Sequence, residues 1–436
     1  MKESVLRENV SMRKKSDAFL KKAFCEPYLY GIFSLIILGV RTLKDTDVLI
    51  GSIIGVTSFS LFRIATYSIV TVVMICYILR VLLGSIHRVN KTLICILAMF
   101  LYLEGITFVF QGASGYHMDW HAGFALMLMI DMGLQCERRS LIRGLTGAFE
   151  FWIYLNVISF VLFARSFVPN SSTHAWVLGN RAFYYRLALP ALALALVRYQ
   201  TLGKGWKLRT VLMIAGCLCC FVVQKGGTGL MGLALVLGMA VWCRKRALPR
   251  YITPLVSTVV AALIFVGIYF VDVQNMFAFL ITGVLGKNMT MSGRTVIWDI
   301  VVPAVAKNPV TGIGYLPVAF MRSMLGHRGF AHTHNQLLEL MLHGGVIATG
   351  LYLAAVWFAS REAVRYRRSA AVKTMTLLAC VFALMGVVEI FHNDPIYYAL
   401  FIFLSRADCL AEEGKQLPRI SVLKRLGRDL KKLKKV

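Results

Sequence analysis

Between residues 28 and 410 the chain breaks repeatedly into apolar runs of spanning or near-spanning length, and this recurrence restricts its fold more than any other feature. The runs begin near Tyr28, Ile64, Thr92, His117, Ile142, Ala182, Thr210, Thr228, Pro254, Leu337, Val372 and Pro395. Backbone in hydrocarbon must satisfy its own N–H and C=O groups, so such runs fold as helices. The expected fold class is an all-α integral membrane protein of about twelve transmembrane helices, with one long, partly helical extracytoplasmic loop before the tenth. Residues 48–62 read either as a re-entrant segment or as an extension of the second helix, and "QKGGTG" (224–229) as a very tight connection. The composition agrees: 58% of residues are hydrophobic and only 16% charged, too apolar for a soluble domain of this length.

Lys and Arg (48) outnumber Asp and Glu (21), a formal net charge of +27. A nucleic-acid surface would cluster those cations on a folded polar face. Here they lie in short groups between apolar runs, which fits topology signals beside anionic lipid and argues against nucleic acid as a partner. The basic groups alternate: the N-terminal tail, 87–91, 136–143, 198–209, 243–250, 361–373 and 424–436 all fall on one side, so both termini are expected in the cytoplasm. No small-residue cleavage site follows the N-terminal basic stretch, which reads as a retained tail. The domain division expected is a basic tail at 1–27, a polytopic domain at 28–410 containing the loop 272–336, and a basic tail at 411–436. The ten cysteines show no CxxC…CxxC spacing, and six of them lie inside apolar runs, so they read as small core residues.

The other side of the membrane carries residues 111–121, 165–181, the loop 272–336 and "FHNDP" (391–395). Of nine histidines only His87 lies on the basic side, so the side chains suited to proton transfer gather on the extracytoplasmic face. Ionisable residues within membrane helices are costly and count as functional candidates. Glu104, Arg186, Glu339 and Glu389 fall in the outer halves of their helices with Lys225 and Arg181 at outer ends; each alternatively pairs with another or snorkels to the interface. Asp131 and Glu150 sit nearer the inner face and read as structural.

Within the long loop, "MSGRTVIWDIVVPAVAKNPVTGIGY" (291–315) reads as an amphipathic helix with Arg294 in its first turn, Trp298 one turn later, and "KNPVTGIG" as its stop. In "HRGFAHTHNQLLEL" (327–340), Thr333 followed by Gln336 is a capping-box pattern, which makes Thr333 the expected N-cap and puts His334 and Asn335 in the first helical turn. Free N–H groups there would seat a phosphate. Three readings compete. His327, His332, His334 and His343 form a metal site, although their spacing matches no familiar zinc motif; the histidines are structural; or His334 is a general base beside Arg294 as anion clamp.

The ordered set "SGRTVIWDIVVPAVAKNPVTGIGY" and "HTHNQLLELMLHGGVIATGLYL" resembles the signature of the O-antigen ligase and O-antigen polymerase superfamily: a Gly-Arg-x-x-x-Trp helix, an Asn-Pro-x-x-Gly-x-Gly turn, then His-Asn heading a transmembrane helix with a Gly-rich step. The strong likeness covers residues 292–352. "LGNRAFYYRLALP" (178–190) is similar to an outer-loop segment of the family, while "QKGGTGLMG" lacks the serine and arginine that members carry there.

The resemblance implies a metal-independent glycosyltransferase without cofactor, in the bacterial cytoplasmic membrane, its active site facing outward. The implied donor is an oligosaccharide on undecaprenyl diphosphate, and the acceptor a sugar hydroxyl. The diphosphate leaving group needs cations, with Arg294 first and Arg181, Arg186 and Lys225 behind it. The hydroxyl needs a base, with His334 first and His332 its rival. Asn335 and Glu339 are candidates to orient the base or hold the acceptor, and Trp298, Trp176, Tyr315 and Tyr185 to stack on sugar or anchor at the interface. Membrane lipid, a chain-length regulator and a flippase are the expected partners. A polymerase that lengthens a surface polysaccharide is favoured over a ligase that joins O-antigen to lipopolysaccharide core, because of the poor match at 224–232. A transporter of such lipids is the alternative of another class; it expects charges through the inner halves of several helices.

Overall fold

The computed structural model describes residues 27–42, 58–84, 86, 89–112, 120–163, 175–180, 183–203, 207–242, 247–271, 293–326, 332–391 and 394–411. The tails, the 48–57 part of the re-entrant question, Arg181, His327 and residues 272–292 lie outside these.

Each of the twelve apolar runs is helical where described. In chain order the elements are α1 (Pro27–Thr42), α2 (Ser58–Leu82), α3 (Lys91–Gln111), α4 (Trp120–Cys136), α5 (Arg138–Leu162), a hairpin of β1 (Ala175–Trp176) and β2 (Gly179–Asn180), α6 (Tyr185–Leu202), α7 (Lys207–Gln224), α8 (Gly227–Trp242) and α9 (Pro254–Val271). Then follow α10 (Arg294–Lys307), α11 (Val318–Met324), α12 (Gln336–Arg365), α13 (Ala370–Met385), α14 (Pro395–Ser405) and α15 (Ala407–Ala411). Among the described residues, α2, α3, α5, α7, α9 and α12 are long and apolar enough to cross a membrane by themselves, and α1, α8, α13 and α14 are shorter apolar helices.

Burial explains the short or less apolar members. Ala122 to Leu134 of α4 and Tyr185 to Ala195 of α6 are buried without interruption, so these helices bury every face and sit inside the bundle. Alanines at 188, 191, 193 and 195 let neighbours approach α6 closely. By contrast α8 buries little beyond Gly229, Gly232 and Val236, and α9 little more, as expected of helices at the lipid-facing rim.

Away from the candidate site, tight ion pairs tie the helices together. Fully buried Asp131 accepts from Arg406 at 2.6 and 3.2 Å, from Asn90 at 2.7 Å and from Tyr77 at 2.9 Å, which joins α2, α3 and α4 to the end of α14. Glu150 takes Arg198 and Arg209, both at 2.5 Å. The structural reading of these two acids agrees with this saturation.

The Gly-rich step of α12 is a kink. Gly345 has φ 58 and ψ −157 inside the helix, and the 309–315 turn docks into the opened backbone. Ile313 N–H donates to Leu342 O at 3.0 Å, Gly314 N–H to His343 O at 2.8 Å, and Val346 N–H to Pro309 O at 2.9 Å. On its other side the turn meets α3, where Thr107 Oγ1 accepts from Tyr315 N–H at 2.8 Å. A Cβ on Gly345 would lie 2.3 Å from Val310 O, in a backbone region that is essentially glycine's alone. Gly345→Ala should therefore cost at least about 1–3 kcal/mol, read as a lower thermal midpoint and a reduced yield of monodisperse protein.

Candidate functional site

Three helix starts and one helix break meet at one end of the bundle: α6 brings Arg186, α8 brings Thr228, α10 brings Arg294, and the segment between α13 and α14 brings Glu389 and Asp394. Arg186 Nη2 lies 3.4 Å from Glu389 Oε2, and Arg186 Nη1 3.9 Å from Asp394 Oδ2. Arg294 Nη2 lies 3.4 Å from Glu389 Oε1, and Thr228 Oγ1 3.5 Å from the same oxygen. Glu389 is thus a carboxylate between two guanidiniums. Its carboxyl is raised above the usual range because burial outweighs the two arginines. These contacts are long beside the 2.5–2.6 Å pairs of Asp131 and Glu150.

The break that carries Glu389 is non-helical backbone, and polar side chains of the signature satisfy it. Gln336 N–H donates to Gly386 O at 2.8 Å, Asn335 Nδ2 to Val387 O at 3.1 Å, Arg294 Nε to Val388 O at 3.1 Å, and Phe391 N–H to Gln336 Oε1 at 2.5 Å. Asn335 and Gln336 therefore help to place the acid that faces both arginines.

Beside this cluster is the histidine turn, and here the capping expectation is corrected. Asn335, not Thr333, is the N-cap of α12, accepting from Leu338 N–H at 2.9 Å, so His334 and Asn335 precede the helix. Gln336 cannot complete a capping box because its side chain is committed to Phe391. With Gln336 N–H on Gly386 O and Leu338 N–H on the cap, the expected phosphate seat on these N–H groups is filled from within. Thr333 instead closes a turn on Asn335 N–H at 3.3 Å, and His334 adopts a left-handed φ of 56.

Thr333 is held on both sides. Its carbonyl accepts Trp298 Nε1–H at 2.9 Å, and its N–H donates to Glu339 Oε2 at 2.8 Å. Trp298 is wholly buried, edge-on to Phe265 at 4.9 Å, so its observed task is to join the Arg294 helix to the histidine turn. Tyr185, Tyr315 and Trp176 are buried as well. The His332 and His334 rings lie 3.9 Å apart. Burial lowers the proton affinity of both; His334 is pushed down to about 2, with His332 and then Arg294 adding to the burial effect. His343 points away from the pair, Nδ1 at 2.7 Å from Gly314 O and Nε2 at 3.2 Å from Glu339 Oε1. Among the described residues no three His, Cys, Asp or Glu side chains converge as a metal cage would require.

The structure thus brings together Arg186, Arg294, His332, His334, Asn335, Glu339 and Trp298. Lys225, with φ 44, forms the two-residue α7–α8 connection and is exposed three residues before Thr228. Sequence reasoning had flagged Glu389 as an ionisable residue without recognising it as the shared partner of two arginines, and had passed over Asp394 and Thr228. The available signal was two acids, five residues apart, in a short connection on a face otherwise poor in carboxylates.

No curated protein matches the chain. A family model does match over residues 210–353, about a third of the length, which takes in α7 to α9, the Arg294 helix, the glycine turn and the histidine turn but not Arg186 or the Glu389 break. That model is described as O-antigen ligase, and it is residues 210–353 of this chain that are similar to it.

Proposed function

We propose that the protein takes an oligosaccharide from undecaprenyl diphosphate and joins it to a sugar hydroxyl, lengthening a surface polysaccharide at the outer face of the bacterial cytoplasmic membrane. The observation that supports the reading is the pair of arginines that share Glu389, Arg186 and Arg294, set beside the His332–His334 turn. A diphosphate offers more acceptor oxygens than Glu389, and two planar guanidiniums suit it. As the bond between the sugar's anomeric carbon and diphosphate breaks, the departing negative charge stays on groups the arginines already face.

The acceptor hydroxyl attacks that carbon while its proton passes to His334. His334 is favoured over His332 on geometry: His332 Nδ1 accepts the backbone N–H of His334 at 3.3 Å, so in the neutral ring its proton is on Nε2 and no lone pair is left for the hydroxyl. Burial first, then His332, and after them Arg294 and Arg186 make His334 a weak base. A diphosphate that pairs with those arginines cancels their effect and adds negative charge, so donor binding raises the basicity of His334 when it is needed. Lys225 and Arg181 remain candidates for the outer phosphate or sugar, and no metal or cofactor is assigned a step.

The charges distant from this cluster, Asp131 with Arg406 and Glu150 with Arg198 and Arg209, are locked in tight pairs. They form no chain of exchangeable charges, which weighs against transport. The ligase remains the second reading, favoured by the description of the matching family model. Protein purified into nanodiscs and given an undecaprenyl-diphosphate oligosaccharide alone should yield a ladder of lengthened glycans, undiminished by chelator. Product only when lipopolysaccharide core is supplied would make it the ligase. No transfer to either acceptor would overturn the reading, and loss of activity in chelator would overturn metal independence.

A further inference from the structure

We infer that Glu339 and His343 are a positioning pair: they hold the His334 turn by hydrogen bonds, not by charge, and tie it to the glycine turn at 312–314. The inference rests on the reading of His334 as the base.

His343 follows Glu339 by one helical turn, and both side chains are buried in α12. His343 Nδ1 lies 2.7 Å from Gly314 O, and a carbonyl can only accept, so Nδ1 carries a hydrogen. Nε2 lies 3.2 Å from Glu339 Oε1, so one proton stands between them. Whether that proton belongs to the ring or to the carboxyl, the pair has no net charge, which is the form a buried helix tolerates. The pair as a whole then offers no net charge to a diphosphate, and neither ring nitrogen of His343 is left to bind a metal.

The other carboxyl oxygen does the positioning. Glu339 Oε2 accepts Thr333 N–H at 2.8 Å while Trp298 holds Thr333 O, so the peptide groups leading into His334 are gripped from α12 and from α10 together. That grip matters because His334 sits at φ 56, a conformation a non-glycine residue keeps only where its surroundings impose it. Through Thr333 N–H, Glu339 sets the backbone from which the His334 ring projects. The run from Gly314 O through His343 and Glu339 to Thr333 N therefore couples the glycine turn to the base, which gives His343 and the Asn-Pro-x-x-Gly-x-Gly turn a shared task.

A glutamine at 339 can make the same two bonds, its oxygen accepting from Thr333 N–H and its amide N–H donating to Nε2 of a neutral His343. Alanine can make neither. In nanodiscs with an undecaprenyl-diphosphate oligosaccharide as donor, Glu339→Gln should keep kcat within about threefold of the parent, whereas Glu339→Ala should lose roughly tenfold to a hundredfold in kcat at nearly unchanged donor KM. If Glu339→Gln falls as far as Glu339→Ala, the pair acts through charge and the inference is wrong. If Glu339→Ala keeps its kcat while His334→Ala is inactive, positioning is overturned and the base reading stands. If His334→Ala stays active, the base reading itself has failed, and this inference with it. Should Glu339→Ala be recovered in too little folded protein for kinetics, His334→Cys in the parent, Glu339→Gln and Glu339→Ala backgrounds reports the turn directly by its rate of maleimide labelling in membranes. The rate should change several-fold in the alanine background only, and equal rates in all three would overturn the inference.

Discussion

His334→Ala should reduce glycan transfer by roughly 10²- to 10⁴-fold, the range a general base supplies, while leaving the amount of folded protein and the pool of lipid-linked donor intact. A sugar hydroxyl is almost wholly protonated at neutral pH, so without a base within hydrogen-bond reach its attack is slow even when a good leaving group is in place. The substitution should not unfold the site. The His334 ring is only partly buried, and the bonds that shape its turn belong to Thr333, Asn335 and Glu339. Alanine also removes a side chain from a left-handed residue without adding bulk. The measurement is kcat for purified protein, together with polymer length in cells carrying the variant. Wild-type product from His334→Ala would remove this residue as the base and direct attention to His332, whose Nδ1 would first have to release the His334 N–H.

Arg294→Ala should lower kcat/KM by about 10²- to 10³-fold, since truncating one partner of a partly desolvated, charge-assisted contact costs about 2–5 kcal/mol and each 1.4 kcal/mol is a factor of ten. Arg294→Lys should recover only part of that loss, because an ammonium keeps the charge and loses the fork that grips two phosphate oxygens. Both variants should fold. Arg294 is the more exposed of the two site arginines, and its donations to Val388 O and to Glu389 come from that more exposed side chain. The helix that carries it is anchored one turn later by fully buried Trp298. An unaffected Arg294→Ala beside an inactive Arg186→Ala would shift the leaving-group contact to Arg186 and leave Arg294 as the counter-ion that holds Glu389.

Much of this was legible in the residues because hydropathy is a local property. Twelve apolar runs predicted twelve helices, since a stretch such as "KTLICILAMFLYLEGITFVF" has one way to satisfy its backbone in lipid. Gly293 before Arg294, with Trp298 one turn on, predicted α10, and its stop at "KNP" held because the proline's predecessor, Asn308, leaves the helix. Arg294 and His334 stood out as candidates by their places, a guanidinium in the first turn of the loop's helix and an imidazole just before the next apolar run.

The capping pattern at Thr333 misled for a physical reason. A capping box assumes that the helix start competes only with its own side chains, whereas here the backbone of residues 386–391 claims Gln336 and half of Asn335 from fifty residues away. Trp298 likewise reads from sequence as an interfacial aromatic, and only packing shows its N–H spent on Thr333 O.

By itself, then, the sequence determined a helical membrane protein and the positions of its apolar helices, because both depend on what a short segment does in lipid. The tertiary structure alone decided that Glu389 stands between Arg186 and Arg294, which come from segments 203 and 95 residues away, and that Glu339 serves Thr333 and His343. Which oxygen meets which N–H across such separations is set by how whole helices pack, and no local pattern records it.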